Sequence, residues 1–135
     1  MLELIIKQLI EENPIDAKRL YVTGQSGGGG GTLTLITRRP KVYAAAVPVC
    51  PGNQITPQTL AQKIAHMPLW FFHGAIDQVI PAGKSRDRVA ALKKAGSKVR
   101  YTEYPRMKHN AWDKAYAEPA MVKWLFEQKL ESLDD

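Results

Sequence analysis

Alternation of helical and extended segments predicts an α/β fold, a mostly parallel sheet of about four strands with helices on both faces. Short runs rich in aliphatic and aromatic residues fall at 20–23, 43–49, 68–73 and 99–104. Apolar residues recur at helical spacing at both ends of the chain, and proline- or glycine-bearing stretches punctuate the segments between. At 135 residues the chain suits one domain, 1–135, with a single core.

Residues 2–12 place Leu2, Ile5, Ile6, Leu9 and Ile10 on one side and Glu3, Lys7 and Glu11 on the other. This is an amphipathic helix, expected to bury one stripe. Asn13-Pro14 stops it, because proline cannot continue the ladder and restricts the residue before it. Asp16 suits the turn before the strand at 20–23. The next helix must form around the glycines 27–31, each costing roughly 1 kcal/mol relative to alanine. It is therefore expected to start late, to be mobile at its beginning, or to be held by packing. Arg38-Arg39-Pro40 ends it.

Residues 43–49 read as a short buried strand whose alanines admit close helix packing. Thr56-Pro57 begins a helix to about Ala65, with threonine as cap and proline in the first turn. Pro68 to His73 is the most apolar run and is expected to be a central strand buried on both faces. Pro81 opens a helix through Val89 and Leu92 that Gly96 terminates. Val99 to Tyr104 alternates as a strand closed by Pro105, and from about Ala111 the chain reads as helical to its end.

Composition excludes several classes. Apolar content is 44%, typical of a soluble globular chain, and no apolar run approaches the roughly 20 residues of a membrane helix. The start has an acidic residue, Glu3, and no small-residue cleavage site, so it is a poor signal peptide; this slightly favours the cytoplasm without settling the compartment. A single cysteine, Cys50, leaves no internal disulfide and no cysteine metal cluster. The net charge of +6 raises nucleic acid as a partner. However, the basic residues are scattered over Lys18-Arg19, Arg38-Arg39, Lys84 to Arg88 and Lys93-Lys94, with acids between. They read as a solvated basic surface rather than a nucleic-acid interface.

The chemistry concentrates at Gly24-Gln25-Ser26-Gly27-Gly28, the Gly-x-Ser-x-Gly spacing of a nucleophile elbow between a strand and a helix. A phosphate-binding loop is excluded because no lysine occurs between Gly24 and Thr37, and no window has the dinucleotide spacing with its acidic partner. A serine nucleophile needs a base, and the base needs an orienting carboxylate. Of three histidines, His66 lies between a helix and a strand. His73 ends the apolar strand, where a ring bonded to neighbouring loop backbone is expected. Only His109 lies in a loop beyond a strand late in the chain. Asp77, just past the apolar strand, falls on the same sheet edge as Ser26 and His109. Asp113 is the competing carboxylate and reads as a helix-start residue. The order Ser26, Asp77, His109 is that of the α/β-hydrolases.

Three stretches carry a fuller resemblance: Asp16 to Pro51, Pro68 to Ile80 and Tyr101 to Tyr116. Together they resemble the α/β-hydrolase esterases, most closely the prolyl-oligopeptidase-like and feruloyl- or polyhydroxybutyrate-esterase-like carboxylesterases. The resemblance implies Ser26 as nucleophile, Asp77 as orienting acid, His109 as base and the Gly27 amide as an oxyanion donor. It implies a small-molecule ester substrate, with no metal and no organic cofactor. Departures are the bare glycines after Ser26, where the family carries a bulkier residue, and Lys108, where glycine is common before the histidine. The family fold also has strands before the first helix, and with them the loop supplying a second oxyanion donor. The chain is thus expected to be a truncated α/β-hydrolase with an open sheet edge, covered by self-association such as dimerisation. The expected function is a serine carboxylesterase for short acyl esters. The alternatives are a non-catalytic remnant or assembly module, or a peptidase or thioesterase of the same fold.

Overall fold

Four five-residue strands, β1 (Tyr21–Gln25), β2 (Ala45–Val49), β3 (Trp70–Gly74) and β4 (Arg100–Tyr104), form one sheet in the order β1-β2-β3-β4. Every pairing is parallel, and Gln25 at the end of β1 stands level with Val49 at the end of β2. This is a computed structural model, and it describes residues 1–133.

Successive strands advance across the sheet in one direction. Right-handed crossovers therefore place α2 (Gly27–Arg38), α3 (Pro57–Ile64) and α4 (Gly83–Lys94) on one face. Leu33, Ile36, Leu60, Ile64 and Leu92 from these helices pack with Leu69 and Phe71 of the β3 segment. The other face belongs to α5 (Trp112–Ala115) and α6 (Pro119–Glu127), whose Ala115 and Met121 meet Val47, Val49, Trp70 and Phe72. Neighbouring residues of one strand thus serve opposite cores, which is why 68–73 reads as continuously apolar rather than alternating. Burying each large side chain here is worth about 1.5–3 kcal/mol.

Several expectations need correction. Of the three alternatives for the helix after Ser26, the late start is the one overturned and packing is the one realised: α2 begins at Gly27. Packing holds it, because Gly29 and Gly30 are buried against the ends of neighbouring segments. A Cβ on Gly29 would lie 2.6 Å from the Val49 carbonyl oxygen, and one on Gly30 would overlap the Gly52 carbonyl. The first helix, α1 (Leu2–Glu12), forms as expected but has no buried residue. Leu2, Ile5 and Leu9 are nearly half exposed. Ile6 and Ile10 are the partly buried ones, and with Leu4 they line a groove of about 410 Å³ against Leu20, Val42 and Tyr43. The helix stands beside the end of α2, tied by Glu3 to Arg39 at 2.8 Å, and nothing among the described residues covers its outer apolar side.

The final helix is not continuous. Glu118 is extended, as the residue before a proline prefers, and Pro119 begins a new helix that ends at Glu127. Residues 134 and 135, which the sequence reading included in this helix, lie outside the described residues. No helix among those described is long and apolar enough to cross a membrane.

Candidate active site

Ser26 sits at the junction of β1 and α2 with φ 55° and ψ −117°, a left-handed backbone that a non-glycine residue adopts only under compulsion. Three hydrogen bonds hold it there. Its amide donates to the Val49 carbonyl, and its own carbonyl accepts from the amides of Gly30 and Gly52, all at 3.0 Å. The next residue, Gly27, is the first of α2, so its N–H is one the helix cannot satisfy itself.

The structure brings Ser26, His109 and Asp77 together. His109 Nε2 is 2.8 Å from Ser26 Oγ, and its Nδ1 is 2.8 Å from Asp77 Oδ2. The carboxylate sets the tautomer: Nδ1–H donates to Asp77, leaving Nε2 to accept from the serine hydroxyl. Asp77 is buried at 7% exposure. Its Oδ1 accepts from the amides of Val79 and Ile80 at 2.8 and 2.9 Å. Burial alone would raise this carboxyl, but the His109 ring N–H and the two amides outweigh it, leaving the pKa below the ordinary 3.8. Trp112 meets the His109 ring edge-on at 5.2 Å between centroids.

The loop carrying His109 is fastened to the end of β3. Ala75 N–H donates to the Tyr104 carbonyl and Ile76 N–H to the Met107 carbonyl. Gly74 lets the loop this close, since a Cβ there would overlap the carbonyls of Lys108 and Met107. Lys108 itself is exposed.

The other candidates separate cleanly. His73 is fully buried: its Nε2–H donates to the Ile80 carbonyl and its Nδ1 accepts from the Ser85 hydroxyl, both at 2.7 Å. The loop-backbone partner matches the sequence reading; Ser85 was not anticipated. Desolvation lowers the His73 pKa and keeps the ring neutral. It lies under Asp77, with Nε2 at 3.4 Å from Oδ2. His66 is exposed against the Pro40 carbonyl, and Asp113 is exposed at the start of α5, paired with Asn110. Neither reaches the site.

Cys50, read from sequence only as too few cysteines for a disulfide, is buried beneath the site at φ 36°. Its Sγ contacts the His109 carbonyl at 3.6 Å. Burial pushes its thiol up to about 11, so it is a neutral packing group at physiological pH. Sγ, an Asp77 oxygen and a His109 nitrogen lie within 4.8 Å of one another. Those His109 and Asp77 atoms already serve the hydrogen-bonded chain above, and that chain fits them better than a metal ion does.

A parallel sheet with a strained serine at a strand–helix junction, facing a histidine and an aspartate from later loops, defines the α/β-hydrolase class. Within that class the chain belongs to the Phospholipase/Carboxylesterase family, whose sequence model matches residues 1–119. A solved structure described as a thermostable esterase superposes with a TM-score of 0.87 at 38% identity, over 95% of this chain and 36% of the other. The acylaminoacyl peptidase of Pyrococcus horikoshii shares the fold, with a TM-score of 0.77 at 18% identity over 96% of this chain and 27% of that one. Cutinase est1 of Thermobifida alba is 56% identical over 41 residues, which are 30% of this chain and 14% of that protein. The chain thus spans well under half the length of these three proteins.

Proposed function

We propose that this domain, residues 1–135, is a serine carboxylesterase acting on short acyl esters in an open site. The observation carrying this reading is the continuous chain Ser26 Oγ–His109–Asp77 with both links at 2.8 Å. Ser26 Oγ attacks the ester carbonyl carbon as its proton passes to His109 Nε2. The tetrahedral oxyanion falls beside the Gly27 amide at the N-terminus of α2, where the helix dipole also favours negative charge. His109 returns the proton to the leaving alkoxide as the C–O bond breaks, and water hydrolyses the acyl-enzyme by the same route. Asp77 holds the ring in the required tautomer and stabilises the imidazolium. Exposed Ile76 and Val79 flank Asp77 and support an apolar, open approach for the acyl group.

Release of p-nitrophenolate from p-nitrophenyl acetate and butyrate tests this reading. Ser26→Ala is expected to lower kcat by about 10⁶-fold, the scale of losing a triad nucleophile. Equal rates for wild type and variant would overturn it.

The domain is also proposed to self-associate. β1 is an edge strand with half-exposed apolar residues of α1 elsewhere on the surface, features that association would cover. Light scattering at micromolar concentration is expected to give a dimer mass. A monodisperse monomer would count against it.

A further inference from the structure

Among the described residues Arg88 is the only buried lysine or arginine. The sequence places it in a basic stretch of α4 that reads as solvated surface; instead it is only 3% exposed. Among the described residues no carboxylate pairs with it, and desolvation lowers its pKa. All of its hydrogen bonds go to the segment that leaves β2. Nη1 donates to the Pro51 carbonyl at 3.0 Å, and Nε and Nη2 donate to the Ile55 carbonyl at 3.3 and 3.0 Å. Nη2 also donates to the Asn53 carbonyl at 2.9 Å and to Asn53 Oδ1 at 2.7 Å. A buried cation without a counter-ion is costly. Here a planar guanidinium instead gathers several oxygens of one loop, as its rigid fork of donors allows.

That loop braces the Ser26 turn. Asn53, held at Oδ1 by Arg88, uses its Nδ2 to donate to the Gly30 carbonyl in α2 at 2.8 Å. Gly52, between two residues that Arg88 grips, donates its amide to the Ser26 carbonyl at 3.0 Å. The Ser26 carbonyl and the Gly27 N–H belong to one planar trans peptide unit and point in opposite directions. Fixing the carbonyl with the Gly52 and Gly30 amides therefore fixes where the Gly27 N–H points.

We propose that Arg88 is a positioning residue: through the 51–55 loop it aims the Gly27 amide at the oxyanion. The proposal deepens the esterase reading and rests on it for its catalytic consequence, whereas the structural link stands apart from activity. Arg88 touches no reacting atom.

Two measurements on Arg88→Ala and Arg88→Met test it. In hydrogen exchange of the folded proteins, the Gly30 and Gly52 amides are expected to exchange at least ten-fold faster than in wild type, with the amides of β3 unchanged. Unchanged exchange at Gly52 would overturn the proposal whether or not the protein is an esterase. In ester hydrolysis at a temperature where circular dichroism shows full folding, kcat is expected to fall about 10- to 100-fold with KM within about two-fold, because the lost interaction acts in the transition state. Guanidinium at tens of millimolar is expected to restore part of the Arg88→Ala rate, entering by the open groove of about 200 Å³ beside Arg88. Sodium chloride at equal ionic strength is expected to have no such effect. An unchanged kcat, or a loss that follows only the unfolded fraction, would overturn the proposal. A wild type without esterase activity would instead refute the esterase reading and leave the exchange result to decide the link.

Discussion

Asp77→Asn should lower ester hydrolysis by about 10⁴-fold while leaving the protein folded. Asn Oδ1 can still accept from the amides of Val79 and Ile80, as Asp77 Oδ1 does, so the loop keeps its turn. The change falls on the other atom. Oδ2 accepts from His109 Nδ1; an amide nitrogen there would donate, forcing the ring proton onto Nε2, where it blocks acceptance from Ser26. Losing both the tautomer and the charge facing the imidazolium is worth about 10⁴ in kcat at such a site. Steady-state kinetics with a matched melting curve checks it; a loss below ten-fold would remove Asp77 from the mechanism. Because the Asp77 pKa is depressed from 3.8, its carboxylate stays charged down through that value. The stability it contributes is present above pH 3.8 and is lost only as pH falls through the lower, folded-state pKa.

The five-glycine run should divide sharply on substitution. Gly31 is exposed and a Cβ there meets nothing within 4 Å, so Gly31→Ala gains helix propensity of about 1 kcal/mol, or roughly 4 °C in Tm. Gly30→Ala drives a methyl into the Gly52 carbonyl. It should cost about 3 kcal/mol, the upper range of overpacking, and lower kcat as well, since the displaced segment braces Ser26. Thermal melts of the two variants decide the matter. Equal shifts would mean that α2 is not pressed against that segment.

The parallel sheet was legible because each strand–helix unit carries its own punctuation, and the short apolar runs leave little room for another arrangement. Ser26, Asp77 and His109 were legible as a group because three loop positions on one sheet edge constrain one another more than any single motif does. What the sequence hid was tertiary. Propensity registers the cost of Gly29 and Gly30 but not the carbonyls that forbid a side chain there. The periodicity of α1 reveals an apolar face but not whether anything covers it. Arg88 carries the same charge as its solvated neighbours, and no local pattern separates a guanidinium that returns to its own core from one that faces water. The break at Pro119 did have a local signal, since the residue before a proline is restricted.

The central claim is that Ser26 is a nucleophile activated by His109, and covalent labelling addresses it most directly. Incubation with a fluorophosphonate and intact-mass analysis should give one adduct per chain, mapping to the peptide that contains Ser26. The adduct should be absent from Ser26→Ala and strongly slowed in His109→Ala. A folded wild-type protein that takes up no label, or takes it up on another residue, would contradict the account.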